Sequence, residues 1–120
     1  MAEPQVFLRI VRGEDKGKVW DLAPRSTYVL GRSHKCNLAL ADRTVSGSHA
    51  KLSSTEGLWF IEDLNSTHGT YVNDQRILAE KPLFDRDVIR LGKTVLELRE
   101  YATFAPEDLG EIERGIQVTD

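Results

Sequence analysis

The feature that most constrains the fold of this chain is its series of short β-type runs, which are separated from one another at close intervals by turn residues. Each run is rich in β-branched, aromatic or aliphatic residues. The runs cover residues 6–12, 18–22, 26–30, 37–40, 50–53, 58–64, 71–72, 75–78, 88–91 and 94–99. No stretch before residue 105 keeps a helical period. About ten short strands at this spacing predict an all-β sandwich.

Glycine and asparagine mark the turns between several of these runs. Residues 13–17 (GEDKG) and 55–57 (TEG) read as turns between neighbouring strands. The pair Asn73-Asp74 suits the positive φ values of a tight two-residue hairpin, and Gly92 can take the first central position of a type II′ turn before Lys93. Residues 82–87 are predicted to form a loop. The turn chemistry therefore favours mostly antiparallel strands.

The length and composition are those of one globular domain with a short appendage. The chain has 120 residues, of which 40% are hydrophobic and 29% are charged, and this size can bury a core without metal or disulfide help. The single cysteine, Cys36, excludes an internal disulfide and fits a reducing compartment. No apolar run reaches the roughly 20 residues of a membrane span, and the N-terminus lacks a signal-peptide pattern. We therefore expect a cytoplasmic protein with no membrane partner.

The formal charge of −3 is unevenly distributed along the chain. Residues 101–120 contain five acidic residues and one arginine, whereas the preceding hundred residues carry a net charge of +1. This division predicts a folded domain over residues 1–100 and an acidic, weakly structured tail or linker over residues 101–120. The nearly neutral domain lacks the broad positive surface that nucleic-acid backbones require, although a site for one small anion needs only a local group of donors.

Two polar clusters lie beside strand ends. The first extends from Gly31 to His49 and the second from Asn65 to Thr70. Both are rich in hydroxyl residues and glycine, and the first contains Arg32. Such donors suit an anionic ligand better than a protein core. The two clusters are therefore the candidate binding loops.

Several separated blocks of the chain resemble the forkhead-associated (FHA) domain, in the correct order over residues 6–99. The blocks are Gly31-Arg32, Val45-Ser46-x-x-His49, Asp63-Leu64-x-Ser66-Thr67-x-Gly69-Thr70-x-Val72-Asn73 and Asp87-x-Ile89-x-Leu91-Gly92. The resemblance implies an FHA-type β-sandwich of about eleven strands in two sheets, with phosphothreonine-binding loops at one end. It also implies a phosphorylated partner protein and a Ser/Thr kinase upstream. FHA domains are among the phospho-motif readers that use arginine.

The resemblance assigns phosphate contact to Arg32, Ser46 and Thr67, and their chemistry agrees. A phosphothreonine carries about −1.5 to −2 charges, which the planar fork of an arginine and two hydroxyl donors would match. Taken singly, Arg32 could be a surface arginine and the two hydroxyls could cap their own turns. The predicted phosphopeptide-binding residues are Arg32, Ser33, Arg43, Ser46, Gly47, Thr67 and His68. The predicted structural supports of the loops are Gly31, His49, Gly69, Thr70 and Asn73, with His49 as a brace behind them.

The chain departs from the family pattern at two predicted contacts. Gly47 stands where the family often has Arg, Lys or Asn, so that one contact to phosphate or peptide is missing. His68 stands where the family usually has an Asn that holds the main chain of the ligand, so a ring nitrogen would have to replace the amide. Neither change removes the phosphate site, and both predict altered affinity and selectivity.

Three other interpretations compete with a phosphothreonine reader. Ser46, Ser48 and His49 could suggest a nucleophile and base, but no nucleophile elbow accompanies them, and no enzyme activity is expected. The potential zinc ligands His34, Cys36, His49 and His68 fit no standard spacing, so neither metal nor cofactor is expected. The third alternative keeps the fold as a phosphate-independent interaction module. Binding measurements with matched phosphorylated and unphosphorylated peptides distinguish this alternative from a phosphothreonine reader.

The tail adds a hypothesis about assembly. The acidic segment carries Thr103 and Thr119 beside a predicted phosphothreonine reader. If either threonine were phosphorylated, it could occupy the site of the same or a neighbouring molecule. Without that modification a monomer is expected.

Overall fold

The predicted strands form two sheets in a computed structural model, which describes residues 5–101. The described residues contain eleven strands and no helix. These are β1 (Gln5–Arg12), β2 (Val19–Leu22), β3 (Thr27–Gly31), β4 (Leu38–Ala39), β5 (Ala50–Thr55), β6 (Leu58–Asp63), β7 (Thr70–Val72), β8 (Gln75–Arg76), β9 (Lys81–Leu83), β10 (Val88–Leu91) and β11 (Thr94–Tyr101). The predicted sandwich of about eleven strands is confirmed.

The two sheets are built mainly from antiparallel neighbours. The first has the order β2-β1-β11-β10-β7-β8 and the second has the order β4-β3-β5-β6-β9. The short pair β3–β4 is parallel, with Leu30 opposite Leu38. The other strand pairs with a recorded register are antiparallel.

Alternation along the strands places one face of each sheet in a shared core. In β1 the side chains of Val6, Leu8 and Ile10 are buried, while the residues between them are more exposed. This period of two is the geometry of a pleated strand with one buried face. The largest fully buried aliphatic side chains come from both sheets: Leu8, Ile10, Leu30, Leu52, Ile61, Ile89, Leu91, Leu96 and Leu98, together with Leu40 and Val45 from the connection between β4 and β5.

The predicted tight turns are confirmed by backbone geometry. Asn73 and Asp74 join β7 to β8 with φ values of 50° and 68°. Gly92 has a φ of 58° at the first central position between β10 and β11, as a type II′ turn requires. The 55–57 turn has positive φ at Glu56 and Gly57.

The prediction that residues 82–87 form only a loop is wrong at its beginning. Residues Lys81–Leu83 form β9, with Pro82 opposite Phe60 of β6. Proline lacks the N–H that a central strand must donate, which is why the sequence suggested a loop. Because β9 is an edge strand, one side of it needs no ladder bond, and an edge tolerates proline.

The predicted acidic tail lies outside the described residues, except that Tyr101 ends β11. The hypothesis about Thr103 and Thr119 therefore stays a hypothesis. Within residues 5–101 there is no helix long and apolar enough to cross a membrane.

Candidate phosphopeptide-binding site

Arg32 follows directly after β3 and lies against the connection between β4 and β5. Its backbone N–H donates to the carbonyl of Ser46 at 2.9 Å, and the next N–H, of Ser33, donates to the carbonyl of Gly47 at 3.1 Å. The side-chain Nε of Arg32 donates to the carbonyl of Val45 at 3.0 Å. Among residues 5–101, the Nη groups have no hydrogen-bond partner. The guanidinium is thus held by one edge, and its Nη groups remain as donors for a ligand.

Gly31 allows this close approach of the two segments. A Cβ on Gly31 would lie 2.2 Å from the carbonyl oxygen of Gly47 and 2.9 Å from Sγ of Cys36. Backbone cannot move away from such a contact without breaking the bonds that position Arg32. The same Gly47 carbonyl accepts a hydrogen bond from the thiol of Cys36 at 3.0 Å. Only glycine fits at position 31.

Ser46 and Thr67 bring the hydroxyls of the two loops together. The backbone N–H of Thr67 donates to Oγ of Ser46 at 3.0 Å, and the two hydroxyl oxygens are 3.5 Å apart. Oγ of Ser46 accepts that bond and donates to Oγ1 of Thr67 only over the long 3.5 Å contact, so its proton can turn to a ligand. Thr67 is exposed and Ser46 is half-buried. The geometry joins residues 21 positions apart in the sequence.

His49 lies fully buried behind both loops. Its Nδ1 accepts the backbone N–H of Ser46 at 3.1 Å, and its Nε2 lies 2.9 Å from the carbonyl of Gly69. These partners assign the proton to Nε2, because a carbonyl can only accept. The backbone N–H of His49 also donates to the carbonyl of Leu30, and its carbonyl accepts from Leu64. The side chain connects the two loops from behind, which is the geometry of the predicted brace.

Asp63, at the end of β6, organises the second loop. Its carboxylate accepts from the backbone and hydroxyl of Ser66 at 3.0 and 2.6 Å, and from the hydroxyl of Thr70 at 2.6 Å. Ser66 Oγ in turn accepts from the N–H of Gly69 at 2.9 Å. Burial by itself would raise the pKa of Asp63, but these hydrogen bonds outweigh it and hold the pKa below its ordinary value of 3.8.

Asp42 plays a corresponding role in the first loop, and the sequence reasoning missed it. One carboxylate oxygen accepts from the backbone and hydroxyl of Thr44, at 2.8 and 2.6 Å. The other accepts from the backbone N–H of Lys93 and the hydroxyl of Thr94, at 3.0 and 2.7 Å. Burial opposes the charged form, yet the hydrogen bonds lower the pKa of Asp42 below 3.8. The only local signal was the spacing Asp42-x-Thr44, which suits a side-chain turn but does not identify the partners near residue 93.

The remaining predicted residues occupy different positions. Gly47 and Ser33 lie beside Arg32, and no atom lies within 4 Å of a Cβ built on Gly47. Arg43 and His68 are exposed on the two loops. Asn73 lies apart from them, at the other end of β7 from Thr70. Its amide donates to Asp87 at 3.0 Å, so it supports the connection that precedes β10.

The assembled site presents positive charge and hydroxyl donors to solvent. Arg32 is bonded to the backbone of the segment that carries Ser46, and Ser46 is bonded to Thr67, whereas His49, Asp63 and Thr70 hold the loops through internal hydrogen bonds. Within residues 5–101 no group of three or more His, Cys, Asp or Glu side chains is arranged to hold a metal ion. Such a cluster of fixed donors suits a tetrahedral anion.

Comparison with known proteins agrees with this architecture. The family model of the FHA domain matches residues 28–92, which include both loops and the strands that hold them. The chain belongs to the FHA-domain family. The solved FHA domain of an Arabidopsis thaliana hypothetical protein matches this FHA domain with a TM-score of 0.80 at 31% identity, over 88% of this chain and 92% of that one. The family resemblance read from the sequence is confirmed.

Two longer relatives extend the comparison. An FHA domain-containing protein of Arabidopsis thaliana is 36% identical over 96 residues, which make up 78% of this chain and 25% of that protein. Mycobacterium tuberculosis EmbR, solved in complex with a low-affinity phosphopeptide, matches with a TM-score of 0.73 at 26% identity. The match covers 84% of this chain and 26% of EmbR. This FHA domain therefore spans about a quarter of the length of either relative.

Proposed function

We propose that this FHA domain binds phosphothreonine-containing segments of partner proteins, and thereby acts as an interaction module in Ser/Thr kinase signalling. The observation that carries the proposal is that Arg32 is hydrogen-bonded to the backbone of Val45 and Ser46, while Oγ of Ser46 is hydrogen-bonded to Thr67. These three donors come from separate segments, and a rigid sandwich holds them at one place. EmbR, a relative that binds a phosphopeptide in its solved structure, has the same fold.

The geometry suits a phosphate dianion more than a carboxylate. Arg32 offers its Nη groups to two phosphate oxygens, because Nε is already bonded to Val45. Ser46 and Thr67 can then donate to the third oxygen. A phosphothreonine supplies about −1.5 to −2 charges and three acceptor oxygens, so each donor finds an acceptor. A carboxylate has only two oxygens and would leave one part of the site unpaired.

The residues around the phosphate site would read the peptide. Ser33 and Gly47 border Arg32, and the open space at Gly47 leaves room for the peptide main chain. His68 is exposed on the second loop, where a ring nitrogen can hydrogen-bond the ligand backbone. Arg43 would contact ligand side chains beyond the phosphothreonine. Gly31, His49, Gly69 and Thr70 would act only by holding the loops.

This proposal excludes catalysis by the serine and histidine residues of the first loop. Both ring nitrogens of His49 are bonded to backbone groups, of Ser46 and Gly69, and His49 is fully buried. It therefore has no nitrogen with which to activate the hydroxyl of Ser46 or Ser48. Cytoplasmic location and a monomeric state are part of the proposal, and the location rests on the single cysteine.

A degenerate peptide library tests the proposal directly. The purified 120-residue chain is titrated with fluorescent peptides that carry phosphothreonine, phosphoserine or unmodified threonine in otherwise random sequence. Selective binding of the phosphothreonine pool is the expected result, and removal of the phosphate by a phosphatase should release the peptide. Equal binding of the modified and unmodified pools would instead support a phosphate-independent interaction module.

A further inference from the structure

The outward face of the six-stranded sheet is positively charged. Strand register and alternation place on it five arginines and two acids: Arg9, Arg12, Arg76, Arg90, Arg99, Asp21 and Glu97. The bulge after Ile10 contributes one of these charges, because the alternation of β1 would otherwise turn Arg12 toward the core, whereas it lies opposite Val95. The strand residues of this face therefore carry a net charge of +3.

Three of the five arginines have acids beside them. The ion pairs are Arg9 with Glu97 and Arg99 with Asp85 of the β9–β10 connection. With Asp85 included, the net charge of the face is +2. Arg12 leads into the β1–β2 turn, which contains Glu14, and Asp21 lies on β2, at the opposite edge of the sheet from β8. The arginines without an acidic partner among residues 5–101 are Arg76 and Arg90.

Arg90 and Arg76 are each held flat against a neighbour. The guanidinium of Arg90 lies 4.0 Å from the ring centroid of Tyr71, which is directly opposite on β7. That of Arg76 lies over Gly69, where a Cβ would be only 2.7 Å from Nε, and so it extends away from Asp74 in the β7–β8 turn. Neither side chain makes a hydrogen bond with residues 5–101. A guanidinium fixed on its flat side keeps its N–H edges for a carboxylate and loses little rotamer freedom on binding.

Apolar side chains adjoin the two guanidinium groups. Val88 lies two residues before Arg90 on the same face and is 38% exposed, and Val95 lies opposite Arg90 on β11. The ring of Tyr71 is partly exposed. Tyr71, Arg76, Val88, Arg90 and Val95 together form the arginine face. This face suits a segment that carries both carboxylates and aliphatic side chains.

The chain itself contains a segment of that chemistry. Residues 102–120 include five acids and one arginine, with a net charge of −4: Glu107, Asp108, Glu111, Glu113, Asp120 and Arg114. Leu109 and Ile112 lie between the acids in the sequence. The segment follows Tyr101, the last residue of β11, so it begins at the same sheet that carries the arginine face.

The acids are far enough along the chain to reach this face. Val95 lies six residues before Tyr101, which is about 20 Å along β11. Arg76 lies three strands from β11, which adds about 14 Å across the sheet and gives a total span of about 25 Å. Glu111 comes ten residues after Tyr101, so it can lie up to about 33 Å from that residue. The length of the segment therefore permits the contact without any change in the sandwich.

We propose that residues 102–120 dock on the arginine face of their own chain, with the acids between positions 107 and 113 on Arg76 and Arg90. Leu109 or Ile112 then covers Val88. Because the segment is tethered, its effective concentration is on the order of millimolar, and weak surface ion pairs are sufficient for docking. The contact uses the unmodified segment and lies on the opposite sheet from β3, which precedes the phosphate-binding arginine. It therefore goes beyond phosphothreonine binding.

Paramagnetic relaxation measured by NMR tests this docking on the 120-residue chain. A nitroxide is attached at Gly110→Cys, between the acids, in a chain where Cys36→Ser has removed the other thiol. A serine hydroxyl can replace that thiol as the donor to the carbonyl of Gly47. The backbone amide signals of β7, β8 and β10 should lose intensity, whereas those of β5 and β6 in the other sheet should keep theirs.

Charge-removing variants identify the contact. Arg76→Gln combined with Arg90→Gln should lower the docking equilibrium constant by about fivefold, because two surface ion pairs are lost. Replacement of the four acids between positions 107 and 113 by their amides should abolish the loss of intensity, and added salt should weaken it. The matched control combines Lys16→Gln with Lys35→Gln, which removes the same charge from two exposed lysines outside the arginine face. It should leave the loss of intensity unchanged.

Each outcome decides the inference. A loss of intensity confined to the arginine face, reduced in the arginine double variant and kept in the lysine double variant, supports it. Unchanged intensity on this face would overturn it, as would an equal reduction in the lysine double variant, because general attraction would then explain the contact. A loss of intensity that disappears on dilution would place the segment on a neighbouring molecule and overturn docking within one chain. Binding of phosphothreonine peptides is measured separately, so each of these failures leaves the proposed function intact.

Discussion

Replacement of Arg32 separates ligand binding from folding, because the side chain makes a single hydrogen bond with the described part of the chain. That bond joins Nε to the carbonyl of Val45, whereas the Nη groups have no partner among residues 5–101. Arg32→Ala removes the charge-assisted, bidentate contact to phosphate, which contributes about 2 to 4 kcal/mol to binding. The dissociation constant for a phosphothreonine peptide should therefore rise by about 30- to 700-fold.

Arg32→Lys isolates the geometry of the guanidinium from its charge. An ammonium keeps the positive charge but has no planar fork, so it cannot hold Val45 and two phosphate oxygens at the same time. We expect a loss of about tenfold or more in affinity, between the unmutated chain and Arg32→Ala. An affinity equal to that of the unmutated chain would mean that charge alone acts at this position.

The effect of Arg32→Ala on folding should be small. Loss of one partly buried hydrogen bond costs about 1 kcal/mol, which corresponds to a decrease of about 4 to 8 °C in the melting temperature of a domain this size. A domain with about 5 to 15 kcal/mol of stability stays folded after that loss. Thermal unfolding followed by circular dichroism provides this check on the sample used for binding.

The assay is a calorimetric or anisotropy titration of a phosphothreonine peptide and its unphosphorylated counterpart. Arg12→Ala is the matched control, because Arg12 is an exposed arginine at the end of β1 whose side chain makes no hydrogen bond or ion pair with residues 5–101. It removes the same charge from the same end of the sandwich. If Arg32→Ala binds the phosphopeptide as tightly as Arg12→Ala does, the assignment of the phosphate to Arg32 is refuted.

Three further substitutions test the loops and their supports. His49→Ala leaves the part-buried N–H of Ser46 and the buried carbonyl of Gly69 unpaired beside a cavity, so the free energy of unfolding measured with urea should fall by about 3 to 5 kcal/mol. A change below about 1 kcal/mol would contradict the bracing role. Gly47→Asn is sterically allowed, because no atom lies within 4 Å of a Cβ at this position, and it adds a side-chain amide beside the phosphate site. The affinity for the phosphopeptide should therefore rise by about threefold or more. An unchanged affinity would show that the peptide does not pass beside Gly47. The pKa of Asp63 is lower in the folded chain than its ordinary value of 3.8. The ionised carboxylate therefore stabilises the fold at any pH above 3.8, and this contribution is lost as the pH falls through the folded pKa. The melting temperature should therefore fall less steeply between about pH 5 and 2 in Asp63→Asn than in the unmutated chain. An identical slope in the two proteins would rule out this linkage.

The sequence predicted the strands and the tight turns well because both depend on neighbouring residues. Alternating buried positions in β1 follow from a period of two, and Asn73 and Gly92 adopt the positive φ values that their side chains favour. The strand β9 was missed for an equally local reason. A proline such as Pro82 is unfavourable in a strand that is paired on both sides. No neighbouring residue in the sequence shows that this strand lies at the edge of a sheet.

The candidate site was only partly predictable for a different reason. Arg32, Ser46 and Thr67 could be named because their spacing matches a family pattern, and the structure places them together. The hub at Asp42 could not be named, because it binds Lys93 and Thr94 about fifty residues away. A carboxylate and a threonine two residues apart are compatible with many turns. The partner that completes the hub comes from another hairpin.

The sequence by itself determined that this chain forms an all-β sandwich of the FHA family, because alternation, turn residues and ordered motifs are all local properties. Only the tertiary structure decided which polar groups face solvent and which are bonded within the loops. His49 and Arg32 lie in the same stretch, yet the first is buried between two loops and the second presents its Nη groups to solvent. The role of a polar side chain depends on the hydrogen-bond partners around it, and here the folded chain brings those partners from 2 to 52 positions away.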